Sequence, residues 1–486
     1  QGCPRSSFLF ICVLELMAIT LRENKNLMGI IEPETQEEDT ISLFADDSCV
    51  CLGKPASQTK EARITMGEYE GASGSALHEG KTMIMKIGKT RRERLTKQQL
   101  GVSFKILEDD AVEKYLGDLV GNAVSEEKRF EKPMSRLATT GSRWNREKIT
   151  VYGRALVVNT LMMPVICFRA NVNGMTKIMT AKILKEIKQF VWKDVPTLKW
   201  GIAVRSVVEG GIGVRDPGAL IDGMRITLIK HLQKKADQPW AKWLRRKERR
   251  LSKEWRRESA YHGGVKKEQL KKLKETCVFE SAIRVWHELR GTVVRENEQT
   301  QMIVKIGKTS VNLEETTNRM IYDELIRVRF GVLKEKEKRV NYAMTKIGKM
   351  LTPQHRQFWW RVAHRKFQTN SQAHKWKVDP NRGRAAEVCS VCKGPKENWD
   401  HMEYGCTGVQ TWLEQLENMY EKYTRGREVE RWVKPTREEW RLEGKGMSED
   451  KMIAIARWQY HKERSALVHV DRLKERTEEE LEFIKE

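Results

Sequence analysis

The sequence predicts an α+β chain, on three observations. Two apolar, strand-forming runs, Thr40-Ile41-Ser42-Leu43-Phe44 and Ser48-Cys49-Val50-Cys51-Leu52, flank Ala45-Asp46-Asp47 like the arms of a hairpin. Short strand-like runs then recur, mixed with helical stretches, as far as Gly117. From Glu126 helical patterning dominates until Cys389, Cys392, His401 and Cys406 fall within 18 residues.

At 486 residues the chain has room for about three domains, and 39% hydrophobic content can fill real cores. Ninety Lys+Arg against 67 Asp+Glu leave a formal charge of +23, which favours a polyanionic partner, nucleic acid and no membrane. Nine cysteines, scattered apart from three near residue 400, argue against a secreted disulfide framework. They place the chain in a reducing, intracellular compartment, cytoplasmic or nuclear. The apolar run Phe8 to Leu14 follows Arg5, but Glu15 interrupts it well short of the ~20 residues of a membrane span. It reads as a buried helix capped by Ser6 or Ser7. The chain starts at Gln1, directly inside a structured motif, and so reads as a piece of a longer protein.

Adjacent strand residues point to opposite faces, so Asp46 and Asp47 offer one carboxylate forward while its neighbour turns aside. Carboxylates at the tip of rigid strands suit Mg²⁺, which takes one or two of them and completes its octahedron with water and phosphate. Asp-Asp is also an ordinary solvated turn, since Asp is a preferred turn residue. Beyond the hairpin a helix is expected from about Ser57 to Tyr69, then a glycine-rich break from Gly71 to Gly80, and then strands at Lys81 to Met85, Val102 to Ile106 and Lys114 to Gly117.

In this order the motifs resemble the palm of reverse transcriptases of non-long-terminal-repeat (LINE-type) retrotransposons. That family shows a Gln-Gly-x-Pro turn before an apolar helix, Phe/Tyr-Ala-Asp-Asp, a Ser-Gly-Leu-x-x-Asn-x-x-Lys-Thr segment, and Tyr-Leu-Gly. The resemblance implies that Gln1 and Gly2 lie beside nucleotide and template, and that Asp46 binds Mg²⁺ with Asp47 flanking it. Ser73, Gly74 and Lys81 would contact the nucleotide, the lysine as a candidate acid for the leaving pyrophosphate, and Tyr115, Leu116 and Gly117 would grip the primer. Arg5 and Ser7 replace the usual Leu and Pro, and His78 replaces Asn, which marks a divergent copy. The family's other catalytic aspartate comes from a motif before Gln1, so the two-metal site is expected to be incomplete here.

From Glu126 to Ile166, Trp144, Gly153-Arg154, Leu161 and Pro164 match the family's helical thumb. Trp144 and Leu161 read as core, while Arg143, Arg146, Lys148 and Arg154 are candidates to track a nucleic-acid backbone. Gly210-Gly211-Ile212-Gly213 resembles a turn the family carries beyond the thumb; no phosphate-loop context surrounds it, so it reads as a tight turn. Between Lys230 and Glu275, 17 Lys/Arg face 6 Asp/Glu, which makes Arg245, Arg246, Arg249 and Arg250 further candidates for phosphate contact. Trp240, Trp243 and Leu244 share one helical face, which reads as core rather than as a base-stacking platform. His355, His364 and His374 lack metal-ligand spacing.

Cys389-x2-Cys392-x8-His401-x4-Cys406 has the composition of a closed, structural zinc shell with no open position for catalysis. It resembles the cluster near the C-terminus of LINE-type proteins, where it handles RNA or DNA; a zinc-stapled turn without a ligand is the other reading. The sequence thus predicts a partial palm of antiparallel sheet and helices (1–120), a thumb (121–172), a basic helical linker (173–385), a zinc knuckle (386–412) and a charged helical tail (413–486). The implied parent is an RNA-directed DNA polymerase acting on RNA template, DNA primer and deoxynucleoside triphosphates with two Mg²⁺, this chain alone being inactive. The rival is a non-catalytic nucleic-acid-binding protein derived from a decayed retrotransposon. Its discriminating feature is the upstream aspartate.

Overall fold

The computed structural model describes residues 3, 5–31, 36, 38–145, 149–193, 198–235, 238–296, 299–332, 352–364, 388–389, 391–394 and 396–424. Helices predominate, with small separate sheets, in keeping with the α+β expectation. The chain divides into two compact units, Gln1–Lys132 and Pro133–Glu486.

In the first unit, α1 (Ser6–Glu23) and α2 (Pro55–Ser73) pack on an antiparallel hairpin of β3 (Ile41–Phe44) and β4 (Asp47–Val50); two-residue strands β1 (Ile30–Ile31) and β2 (Glu38–Asp39) precede it. Leu14, Met17, Leu21 and Ala62 of the helices meet Ile41, Leu43, Val50 and Leu52 of the hairpin, and the period-2 alternation sends those four side chains inward. Helix α1 is not the buried helix its composition suggests. Only Leu14, Met17, Ala18 and Leu21 are buried, whereas Phe8 and Leu9 are 69% and 60% exposed. Its cap is Arg5, without a side-chain hydrogen bond, because Ser6 already lies in the first turn.

Helix α2 runs past the predicted end to Ser73, where Gly74 takes φ 69° as its left-handed C-cap. The expected strand at 81–85 shrinks to β5 (Met83–Ile84), parallel to β6 (Lys105–Ile106) beyond the short helix α3 (Lys97–Leu100). Leu116 and Gly117 are not strand but a turn between β7 (Glu113–Tyr115) and β8 (Asp118–Val120), with φ 47° and 85°. Two positive φ values give the turn the twist that tight hairpins need.

Helix α4 (Glu126–Trp144) crosses from the first unit into the second. The second unit continues with α5 (Val151–Val157), a π-helical turn at Val158–Met162 and α6 (Met163–Asn173), followed by α7 (Lys177–Val191) and α8 (Trp200–Ala203). The run Val151–Asn173 has the length and hydropathy of a membrane span, yet half of that window is buried in protein. Leu161, expected in the core, is 44% exposed there.

Gly210 to Gly213 form the predicted tight turn. The Gly211 and Gly213 amides donate to Ser206 O and Arg205 O, and a Cβ on Gly211 would stand 2.1 Å from Arg205 O. Asp216 then caps α9 (Pro217–Lys234), its Oδ1 accepting from Ala219 N while its Oδ2 accepts from Trp200 Nε1, both at 2.8 Å. Helices α10 (Pro239–Glu254), α11 (Lys267–Lys271) and α12 (Val278–Glu288) follow.

An antiparallel meander, β9 (Thr292–Glu296), β10 (Gln299–Ile306) and β11 (Thr309–Asn312), interrupts the region expected to be helical. Its signal was legible in the β-branched runs Thr292-Val293-Val294 and Ile303-Val304, with Gly307 at φ 67° in the turn. Helix α13 (Asn318–Phe330) packs on α9. Helix α14 (Pro353–Ala363) docks through Gln357 Oε1, which accepts from Val151 N at 2.6 Å, and through Trp360, stacked on Trp192 at 6.2 Å. His355 and His364 are ordinary structural histidines, bonded to Thr352 and to the Gly210 carbonyl. His374 lies outside the described residues.

Candidate functional site

The aspartate hairpin forms as the sequence predicts, with one refinement. Asp46 occupies the two-residue turn with Ala45, while Asp47 is the first residue of β4 and pairs with Phe44. Ala45 holds φ 52°, a left-handed backbone that an L-residue with a Cβ adopts at a cost. Such positions persist where the surroundings over-determine them. Both carboxylates are exposed.

Because Leu43 and Val50 face the helices, their strand neighbours Phe44, Asp47, Cys49 and Cys51 share the opposite face. The phenol of Tyr115 lies within electrostatic reach of that face. Burial first, then the acidic groups of Cys49, Asp47 and Cys51, raise its pKa. The two thiols interact with each other: the proton donated by Cys51 lowers the Cys49 pKa to about 7, and Cys51 is pushed up.

The other nucleotide-site candidates are placed individually. Ser73 Oγ donates to Tyr69 O at 2.7 Å, so this hydroxyl serves the helix end. Lys81 stands exposed in a turn after Glu79. Gln1 and Gly2 lie outside the described residues, as do Arg146 and Lys148. Among the described residues, no third His, Cys, Asp or Glu gathers with Asp46 and Asp47 into a metal-binding group.

The candidate phosphate contacts divide by burial. Arg143, Arg245, Arg249 and Arg250 are exposed. Arg154 is buried, and its Nη1 donates to the Phe190 and Val191 carbonyls, closing the end of α7 instead of facing solvent. Arg246 is buried as well.

The Cys/His cluster forms the most complete site. The ligand atoms of Cys389, Cys392, His401 and Cys406 all lie within 4.8 Å of one another. Cys389 Sγ is 3.7 Å from Cys406 Sγ, and Cys392 Sγ is 3.3 Å from His401 Nε2. A tetrahedron with Zn–S near 2.3 Å and Zn–N near 2.0 Å sets neighbouring ligand atoms about 3.5–3.8 Å apart, so the donor set fits zinc.

Local chemistry builds this geometry. The Lys393 amide donates back to Cys389 O and Lys393 takes φ 55°, turning the chain tightly between the first two cysteines and Gly394. The Gly394 amide donates to Cys392 Sγ at 3.3 Å, and a Cβ there would press on that sulfur at 3.0 Å. Asn398 Oδ1 accepts from His401 N, setting the short π-helical turn that carries the histidine.

Cys406 stands directly before α15 (Thr407–Thr424). The Cys389 thiol, and then the Val409 and Gly408 amides of the helix start, lower its pKa to about 7 against the opposing effects of burial and Cys392; Cys389 is pushed up in return. A helix N-terminus favours a thiolate in this way. Met402, Val409 and Leu413, close to the ligands in sequence, are buried. All four positions are filled by protein, so a bound zinc would be structural.

Comparison with known proteins agrees with this geometry. Residues 326–412, which contain α14 and the whole Cys3His group, match the family described as zinc-binding in reverse transcriptase. Over 217 residues the chain is 25% identical to the Transposon TX1 uncharacterized 149 kDa protein of Xenopus laevis. That similarity covers 44% of this chain and 16% of the relative, so the chain spans a small part of the protein it matches. Together with the Cys3His group, these matches bear out the resemblance to a non-LTR retrotransposon reverse transcriptase with a zinc knuckle.

Proposed function

We propose that these residues serve an RNA-directed DNA polymerase of a non-LTR retrotransposon, contributing part of the palm, the thumb, a basic linker and a zinc knuckle. The observation that carries this reading is the assembly of four zinc-ligand atoms inside the segment that matches the reverse-transcriptase zinc-binding family. The aspartate hairpin supports it, since a carboxylate on a rigid two-strand tip suits Mg²⁺.

In the proposed reaction a primer 3′-hydroxyl attacks the α-phosphorus of a deoxynucleoside triphosphate; its proton passes to water, the new P–O bond forms as the bond between the α-phosphorus and the bridging oxygen breaks, and pyrophosphate leaves. Asp46 would hold a metal ion at the hairpin tip, with Asp47 flanking it within electrostatic reach of Tyr115. Tyr115, Leu116 and Gly117 position the primer end, and the exposed Lys81 gives a proton to the pyrophosphate. Mg²⁺, when bound, stabilises the attacking and leaving oxygens. A two-metal site would need a further carboxylate from another strand, and none gathers with Asp46 and Asp47 among the described residues. The knuckle holds its own segment rigid and adds to RNA or DNA handling.

The test is primer extension. The chain by itself is expected to bind primer-template without extending it; joined to an intact upstream fingers and palm segment it extends. Asp46→Ala in the joined protein abolishes extension with little loss of template binding, because a ligand acting mainly in the transition state sets turnover more than ground-state affinity. Full activity after Asp46→Ala would overturn the assignment. A second reading, a non-catalytic nucleic-acid-binding protein, is favoured by helix α10, whose exposed basic side chains need no catalytic metal. It predicts that the joined protein binds template and never extends.

A further inference from the structure

The sequence assigns Trp240 and Trp243 to the core of α10, and the structure places them outside it. The buried stripe of this helix is Ala241, Leu244 and, one residue past its end, Trp255, which join Leu232, Phe279 and Ile283 in one cluster with Leu251 packed against it. Glu248 lies on the same inward face, and its Oε1 accepts from Ser252 Oγ, Ser259 Oγ and Ala260 N, each at 2.8 Å. Positions 241, 244, 248, 251 and 255 follow the helical period closely. Trp240 and Trp243 belong to the next stripe, rotated by about 100°. They are 39% and 47% exposed.

These indoles lie in a strongly basic setting. Helix α10 carries seven Lys/Arg and two Asp/Glu, with Arg245, Arg249 and Arg250 exposed. Lys247 Nζ lies 4.2 Å from the centroid of the Trp243 ring, a cation–π contact that orients the ring and sets a positive charge beside it. Among the described side chains of this helix no exposed aliphatic one accompanies the indoles, which separates the surface from a membrane-inserting or protein-docking face. Aromatic rings amid basic side chains are the composition of surfaces that hold single-stranded nucleic acid: the charges follow the phosphates and the rings stack on unpaired bases.

We propose that α10 is a binding platform for single-stranded RNA or DNA, with Trp240 and Trp243 stacking on unpaired bases and Arg249 and Arg250 holding the adjoining phosphates. A duplex keeps its base faces covered and can use only the charges. The platform therefore adds a preference for unpaired over paired strands to the polyanion binding on which this inference rests.

The experiment measures affinity of the full chain for labelled oligo(U) and oligo(dT) of about 15 nucleotides, and for a duplex of equal length, across a salt series. Trp240→Ala with Trp243→Ala is expected to weaken single-strand binding at least about tenfold, leaving duplex affinity and the salt slope unchanged. Trp243→Phe keeps most of the single-strand affinity. Equal loss on both substrates, or no loss on single strands, overturns the platform. Arg245→Gln with Arg249→Gln and Arg250→Gln separates the two ideas. If it leaves the salt slope unaltered, polyanion binding by this helix fails; if it flattens the slope while the tryptophan variant binds normally, only the stacking fails. Should the double variant unfold, ultraviolet cross-linking of bromouracil-substituted oligo(U) to the unaltered chain decides: adducts on Trp240 or Trp243 support the platform, and adducts confined to other residues overturn it.

Discussion

Cys389 Sγ and Cys406 Sγ approach to 3.7 Å although 17 positions of chain separate them, and Cys406 is the last residue before a helix. Two thiols at that distance with Cys392 and His401 alongside are arranged for one tetrahedral ion. Metal analysis of the purified chain is expected to find one zinc, and Cys389→Ser with Cys406→Ser to remove it. Chelation should expose the segment around residues 388–424 to protease, and affinity should fall with pH because the thiols must be deprotonated to bind. Stoichiometric zinc surviving in the double serine variant would refute the site.

Gly211 has no room for a side chain. An added Cβ would meet Arg205 O at 2.1 Å and Ile202 O at 2.7 Å, both backbone atoms that cannot swing away. Gly211→Ala should therefore destabilise the second unit by about 2–3 kcal/mol, read as a lower melting temperature. Gly213→Ala, where an added Cβ meets nothing within 4 Å, carries only the strain of φ 70° and should cost less.

Leu116 is a second strained position, since it is 40% exposed and holds φ 47° in the β7–β8 turn. Asn tolerates this conformation better than Leu. Leu116→Asn should raise stability by about 0.5–1 kcal/mol in denaturant titration. A lower midpoint would show that the leucine side chain contributes packing the turn depends on.

His287 makes stability pH-dependent. Burial holds its pKa below the usual histidine value, the Ala260 carbonyl accepting from Nε2 at 2.8 Å opposes that shift, and the charge of Arg257 adds to it. A lowered pKa in the folded state means that this contribution is complete above the unfolded value near 6.5 and is lost as pH falls through the lower folded value. Melting temperature should drop as pH falls below the unfolded histidine value of about 6.5, and His287→Gln should flatten that slope. An unchanged slope in the variant would assign the effect to other groups.

Local sequence by itself determined the aspartate hairpin, the tight Gly210–Gly213 turn, the helical run from Glu126 as far as Glu288 and the zinc ligand set. In each case the determining interaction spans few residues: a turn preference, a period-2 or period-3.6 pattern, or a ligand spacing. Only the tertiary structure decided which side chains of a helix face water. Helix α10 holds apolar residues on two adjacent stripes, and composition cannot choose between them; the stripe ending in Trp255 packs because Phe279 and Ile283 of α12 supply its partners. Arg154 likewise reads as a free cation until the end of α7, 36 residues away, arrives with carbonyls for its guanidinium. The apolar face of α1 reads as buried until its neighbours are counted, since α2 and the hairpin cover only the stripe of Leu14, Met17 and Leu21. Burial is set by contacts distant in sequence, and periodicity along one segment does not contain them.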